Sequence, residues 1–149
     1  MDEGQLDCGY CTIAEAIKAV WKSVEELDHH IPANEGDANK VFTEGRVPPR
    51  GGDLYLPYCV IDEQSIRPAR ATSDSTFLDV RTYIVKIYSN SRRLNVELSS
   101  LFRDAVGKSQ CMQTCQGRVC RLQADSASFV LFGDGTRLAT LTVTAMVQT

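Results

Sequence analysis

The sequence predicts an α+β domain, with a single mixed or antiparallel β-sheet packed against two main helices and long loops projecting from it. Three observations carry that prediction. Apolar residues recur at helical spacing near the N-terminus and again after residue 93. Two later stretches alternate with period two, the mark of strands. Glycines and prolines crowd the interval between the first helix and the first long strand, where they set turns instead of regular structure.

The first helix is expected over Thr12–Asp28. There Ile13, Ile17, Val20, Val24 and Leu27 form one stripe, Thr12 and Glu15 have the form of a capping box, and Pro32 ends the run. Trp21 flanks the stripe, placed to roof the core or to face a neighbouring subunit. From Ile31 to Asp53 the chain reads as an irregular excursion holding one short strand at Lys40–Phe42. A strand follows at Leu56–Ile61, and Glu63–Ser75 reads as a second exposed loop or hairpin. The strongest strand covers Thr76–Tyr88, with Tyr83, Val85 and Ile87 on one face and Leu78, Val80 and Ile84 on the other. Leu94–Val106 is expected to be the second helix, capped by Ser91, with Leu94, Leu98, Leu101 and Ala105 as its stripe and Gly107 as its C′ residue. Strands at Arg118–Gln123, Ser128–Phe132 and Thr136–Val147 close the chain. The last two are joined by a turn at Gly133–Gly135.

Composition bounds the function. A chain of 149 residues with 43% hydrophobic and 23% charged residues is ordinary globular usage, and at this length roughly 70% of the unfolded surface is buried. One domain over residues 1–149 is expected, with residues 1–11 a flexible N-terminal segment. A net charge of −3 speaks against tight binding to nucleic-acid phosphates. The acidic opening and the lack of an apolar run of 18 residues predict a soluble, intracellular protein that does not engage a membrane.

Two sets of residues are candidates for chemistry. Cys8 and Cys11 have the spacing of a metal-ligand couple, whereas Cys111, Cys115 and Cys120 match one only loosely. A redox role for the first pair lacks a preceding strand. The simpler reading is a core Cys59 and otherwise free thiols, as a reducing compartment would keep them. His29 and His30 close the first helix, where its dipole favours a cation without any catalytic role. No nucleophile-elbow, phosphate-loop, zinc-protease or dinucleotide motif occurs, so neither an enzyme nor a cofactor is expected. What remains is surface. Arg46, Pro48, Arg50, Arg67 and Arg70 lie on the two expected loops, and arginine beside proline suits a subunit or partner contact.

The segments GRVPPRGGDLYLPYCVID (Gly45–Asp62) and TYIVKIYSNSRRLNVELSSLFRDAVGK (Thr82–Lys108), with the order of elements around them, resemble the tail-terminator (tail-completion, minor tail) proteins of long-tailed bacteriophages. The likeness covers Ala14–Lys108, and the cysteine tract at Cys111–Cys120 departs from the family pattern. It implies a virion tail or neck subunit, assembled in the host cytoplasm into a hexameric ring. Such a ring caps the tail tube, ends its polymerisation and joins it to the head connector. The implied partners are other copies of the chain, the tail tube protein and the connector protein, with DNA passing an acidic lumen without specific binding. The alternatives are another neck ring, a stopper or an adaptor, and from a different class a small cysteine-metal binding or regulatory module.

Overall fold

The computed structural model describes residues 9–33, 39–43, 56–68, 78–109 and 111–148. In chain order the elements are α1 (Ile13–Ser23), α2 (Glu25–His30), β1 (Val41–Thr43), β2 (Tyr58–Pro68), β3 (Leu78–Ser89), α3 (Arg92–Gly107), β4 (Met112–Thr114), β5 (Gly117–Ala124), β6 (Ser128–Leu131) and β7 (Arg137–Gln148). The strands form one seven-stranded sheet in the order β1-β2-β3-β7-β5-β4, with β6 also paired to β7. β1 runs parallel to β2 and the remaining pairs are antiparallel, so the sheet is mixed and the fold is α+β as expected. No helix among the described residues is long and apolar enough to cross a membrane.

The sheet is organised by β7. Ala139, Leu141, Val143, Ala145 and Val147 alternate with threonines and are buried, which turns one face of the strand to the core. One edge of β7 pairs with β3 along the whole of both strands, from Leu78↔Gln148 to Ser89↔Arg137. Its other edge is shared by β5, opposite Val143–Gln148, and β6, opposite Arg137–Thr140. On β3, Tyr83, Val85 and Ile87 are buried, while Leu78, Val80 and Ile84 on the opposite face stay half-buried. α1 and α3 pack on the buried face.

The first helix is broken where a continuous one was expected. Ser23 Oγ donates to the Val20 carbonyl at 2.7 Å, the acceptor that the Val24 amide needs to continue the helix. The Val24 N–H turns to Trp21 O instead, and Val24 is extended (φ −96°, ψ 110°). The break swings Leu27 and Ile31 into the core. It also brings the Ile31 carbonyl to the Trp21 indole N–H at 2.9 Å. Trp21 is therefore a core residue, fully buried with its ring centroid 5.2 Å from that of Phe102. Of the capping box only half forms. Thr12 Oγ1 accepts the Glu15 N–H, but the Glu15 carboxylate accepts the Thr43 hydroxyl of β1.

Several further boundaries differ from expectation. β1 covers Val41–Thr43, one residue beyond Lys40–Phe42. β2 does not stop at Ile61 but continues through Pro68, because the start of β3 supplies a partner for Glu63–Pro68 across a bulge between Glu63 and Ser65. Half of the second expected loop is thus strand, and Arg67 sits on it opposite Val80. The rest of that loop, residues 69–77, and residues 44–55 lie outside the described residues. The buried stripe of α3 is Asn95, Leu98, Ser99, Phe102 and Val106, with Leu94, Leu101 and Ala105 only partly buried beside it. Its cap is Ser91, as expected, accepting the Leu94 N–H. The stripe is turned because the Ser89 hydroxyl donates to Asn95 Oδ1 at 2.6 Å and draws a polar residue inward. Gly107 is the last helical residue and no C′ glycine follows; Lys108 caps the end in right-handed geometry.

The cysteine tract contains an unexpected strand. β4 pairs with β5 around a turn at Cys115–Gln116, and the N-terminal segment docks onto it. Tyr10 bridges to Thr114, donating to Gln113 O at 3.2 Å and accepting from the Cys115 N–H at 3.0 Å. Gln116 Oε1 then accepts the Ile13 N–H at the start of α1. Residues 9–11 of the expected flexible segment are thus tied to the sheet, while residues 1–8 lie outside the described residues.

The Trp21–Ile31 contact gives a direct test of this packing. Trp21→Phe leaves a buried carbonyl without its donor and is expected to cost about 1–3 kcal/mol. Trp21→Ala adds a cavity, for a total of about 3–5 kcal/mol. Urea unfolding followed by circular dichroism measures both, and unchanged midpoints would contradict the packing described.

Candidate assembly surfaces

The sequence-predicted contact residues divide by position. Arg67 is exposed on β2. Arg46, Pro48, Arg50 and Arg70 lie outside the described residues. Of the cysteines, Cys59 is fully buried and burial pushes its thiol well up from the usual range, which makes it inert packing. Cys11, Cys111, Cys115 and Cys120 are exposed, and Cys8 lies outside the described residues. Among the described residues no three Cys, His, Asp or Glu side chains converge to hold a metal. His29 and His30 stack edge to face at the end of α2, with ring centroids 5.5 Å apart.

The two long edges of the sheet are built differently. Beyond Ile61, β2 has no β1 residue beside it, and its continuation carries Glu63, Gln64, Ser65, Arg67 and Pro68 around a single exposed apolar residue, Ile66. Charges and a proline on an edge discourage another chain from adding a strand. Glu63 is further engaged by the Tyr83 hydroxyl at 2.8 Å and by Arg81 at 3.3 Å. Burial, and next the Glu63 hydrogen bond, push the Tyr83 phenol up.

β6 has none of these protections. Phe129, Val130, Leu131 and the following Phe132 are 43, 48, 57 and 41% exposed. Since successive residues of a strand point to opposite faces, both faces of β6 are apolar and open. The helices pack on β3, β7 and β5, and among the described residues none makes more than marginal contact with β6. The exposed apolar area of these four residues is roughly 300–400 Å², at the size where a patch on a monomer is often functional.

This surface continues across the open face of the sheet. Val130 pairs with Leu138, Leu138 with Tyr88, and Tyr88 with Tyr58, so four strands contribute to one row. The two tyrosine rings stack with centroids 4.7 Å apart, and Phe42 of β1 meets Tyr58 edge-on at 6.4 Å. The row was missed in the sequence because its members come from strands far apart in the chain. β6 itself carries a signal in the sequence beyond that of a strand: four consecutive apolar residues with no polar alternate.

The β6–β7 loop holds this strand in place. Phe132 N–H donates to Thr136 O at 2.8 Å, Gly135 takes a positive φ of 88°, and the Asp134 carboxylate accepts the Thr136 N–H at 2.9 Å. The expected Gly-Asp-Gly turn is therefore a hairpin loop, although only Gly135 needs glycine's left-handed freedom.

No family model and no curated protein matches the sequence. Among solved structures, the chain superposes on a chain described as the virion of a native gene transfer agent particle. The TM-score is 0.68 at 16% identity, covering 92% of this chain and 95% of that one. The two chains share a fold. At this identity the likeness is one of architecture, and it spans nearly all of both chains.

The loop gives a pH test. Hydrogen bonds from the Thr136 backbone and side chain hold the Asp134 carboxyl below the usual aspartate range. A depressed folded pKa stabilises above the unfolded value of about 3.9 and loses that contribution as pH falls through the folded value. Amide exchange at Thr136 is therefore expected to be faster in Asp134→Ala than in wild type at neutral pH. The difference should vanish in acid, and a difference that persists there would contradict the assignment.

Proposed function

We propose that this chain is a structural, non-enzymatic subunit of a phage-type particle that works by closing into a ring with copies of itself. In this reading it is a tail terminator: a ring, hexameric in the family it resembles, that caps the tail tube, stops its growth and joins the tail to the head connector while DNA passes through. The observation that carries the reading is the fold shared with a virion chain over nearly the full length of both. The open β6 strand supports it independently. An unprotected apolar edge is an aggregation hazard unless another chain covers it, and the charged edge of β2 is a poor partner for a second copy.

A heterologous interface closes a ring when each subunit presents two different patches, one accepting the other. β6 and the Tyr58–Tyr88–Leu138 row supply one apolar patch. With roughly 800 Å² needed per partner in a standard interface, that patch is the apolar centre of a contact whose rim comes from neighbouring polar surface. A stopper or adaptor ring would use the same patch against different neighbours, and binding to tail tube protein separates the terminator from them.

Negative-stain electron microscopy of the purified protein, alone and with tail tube protein, is expected to show closed rings of uniform diameter. The paired substitution Phe129→Ser and Leu131→Ser is expected to leave the melting temperature within a few degrees of wild type, because neither side chain is in the core, yet to abolish the rings. A wild type that stays monomeric at high concentration in the presence of tube protein would overturn the reading. So would a double variant that still assembles.

A further inference from the structure

We infer that Cys111 and Cys120 form a redox-modifiable pair, a site at which a small-molecule disulfide is reduced as a cross-strand staple closes over the β4–β5 hairpin. The inference is independent of the ring reading. It rests on hairpin parity. Met112 pairs with Val119, Gln113 with Arg118 and Thr114 with Gly117, around a two-residue turn. The pair next to such a turn, Thr114/Gly117, exchanges both of its backbone hydrogen bonds. The pairs alternate outward from there, so Met112/Val119 is hydrogen-bonded again. Met112/Val119 is the last pair of the ladder, and continuing its register by one step sets Cys111 opposite Cys120 in a non-hydrogen-bonded position. That is the narrow site, with Cα atoms about 4.5 Å apart and side chains drawn together, inside the Cα range of about 4.4–6.8 Å that a disulfide spans.

Side-chain placement agrees. Thr114 and Val119 are buried, so Cys111 and Cys120 share the outward face of the hairpin, and both are exposed. The Cys111 thiol already lies on its neighbour's backbone, donating to Cys120 O at 3.4 Å. Cys120 is the extra residue where β5 shifts register against β7 between Val119 and Arg121. Its sulfur contacts Arg118 O and Gln148 Oε1, each at 3.7 Å, so a χ1 rotation frees it to meet Cys111.

The chemistry balances as thiol–disulfide exchange. One cysteine thiolate attacks a sulfur of the small disulfide, forming a mixed disulfide and expelling one small thiolate. The second cysteine thiolate then attacks the bonded protein sulfur and expels the other. Two protein thiols lose two electrons, the small disulfide gains them, and the two protons end on the two released small thiols. In a reducing compartment the pair stays open, and in an oxidising medium it closes.

The test uses the full-length protein incubated with oxidised glutathione, then alkylated and digested without reductant. The expected result is one dominant internal cross-link joining the Cys111 and Cys120 peptides, with slower amide exchange across Met112–Val119 than in the reduced protein. Cys111→Ser and Cys120→Ser should each abolish the cross-link and leave the other cysteine carrying glutathione, whereas Cys115→Ser should leave it intact. Cys111 and Cys120 both remaining alkylated, or cross-linking mainly to Cys11, Cys115 or another chain, would overturn the inference.

Discussion

The twelve-residue ladder between β3 and β7 is the interaction on which the rest of the structure depends. Its register decides which side chains of both strands face the helices. A slip of one residue would exchange Leu141, Val143 and Ala145 for threonines in the core. Because β7 is central, the register also places β5 and β6 on its far edge. A single layer of helices then covers one face of β3, β7 and β5, and among the described residues makes no more than marginal contact with β6. The apolar character of β6 is left uncovered by the same arrangement that builds the core.

Much of this was legible in the sequence wherever periodicity acted within one element. β7, the central part of β3, the span of α3 and the start of α1 follow directly from alternation and helical spacing, since the residues concerned pack against a single neighbouring layer. The failures have local physical causes. A serine hydroxyl competing for one carbonyl broke the first helix at Val24, where the apolar stripe ran on unbroken. A hydrogen bond from Ser89 turned α3 so that Asn95 went inside. The polar stretch Glu63–Pro68 became strand because pairing with β3 outweighs weak intrinsic β-propensity at an edge. β4 lies in a three-residue segment whose strand character exists only through its partners β5 and Tyr10.

The candidate site was less legible than the fold. Attention to arginines beside prolines led to loops of which only Arg67 falls within the described residues, and there it lies on a strand. The surface that stands out instead is apolar, and it is assembled by register across β6, β7, β3 and β2. Sequence reasoning weighs charge and motif easily, but it does not see which apolar strand the helices leave uncovered. The contrast between the two edges, one blunted by Glu63, Arg67 and Pro68 and the other bare, became visible only once the strand order was known.

The central claim is that β6 is a subunit contact, and hydrogen exchange compared between dissociated and assembled protein tests it most directly. The account predicts that the amides of Ser128–Leu131 exchange quickly in the free chain and become strongly protected on assembly, while those of the β3–β7 ladder are slow in both. Assembly that leaves Ser128–Leu131 exchanging as fast as in the free chain would contradict it.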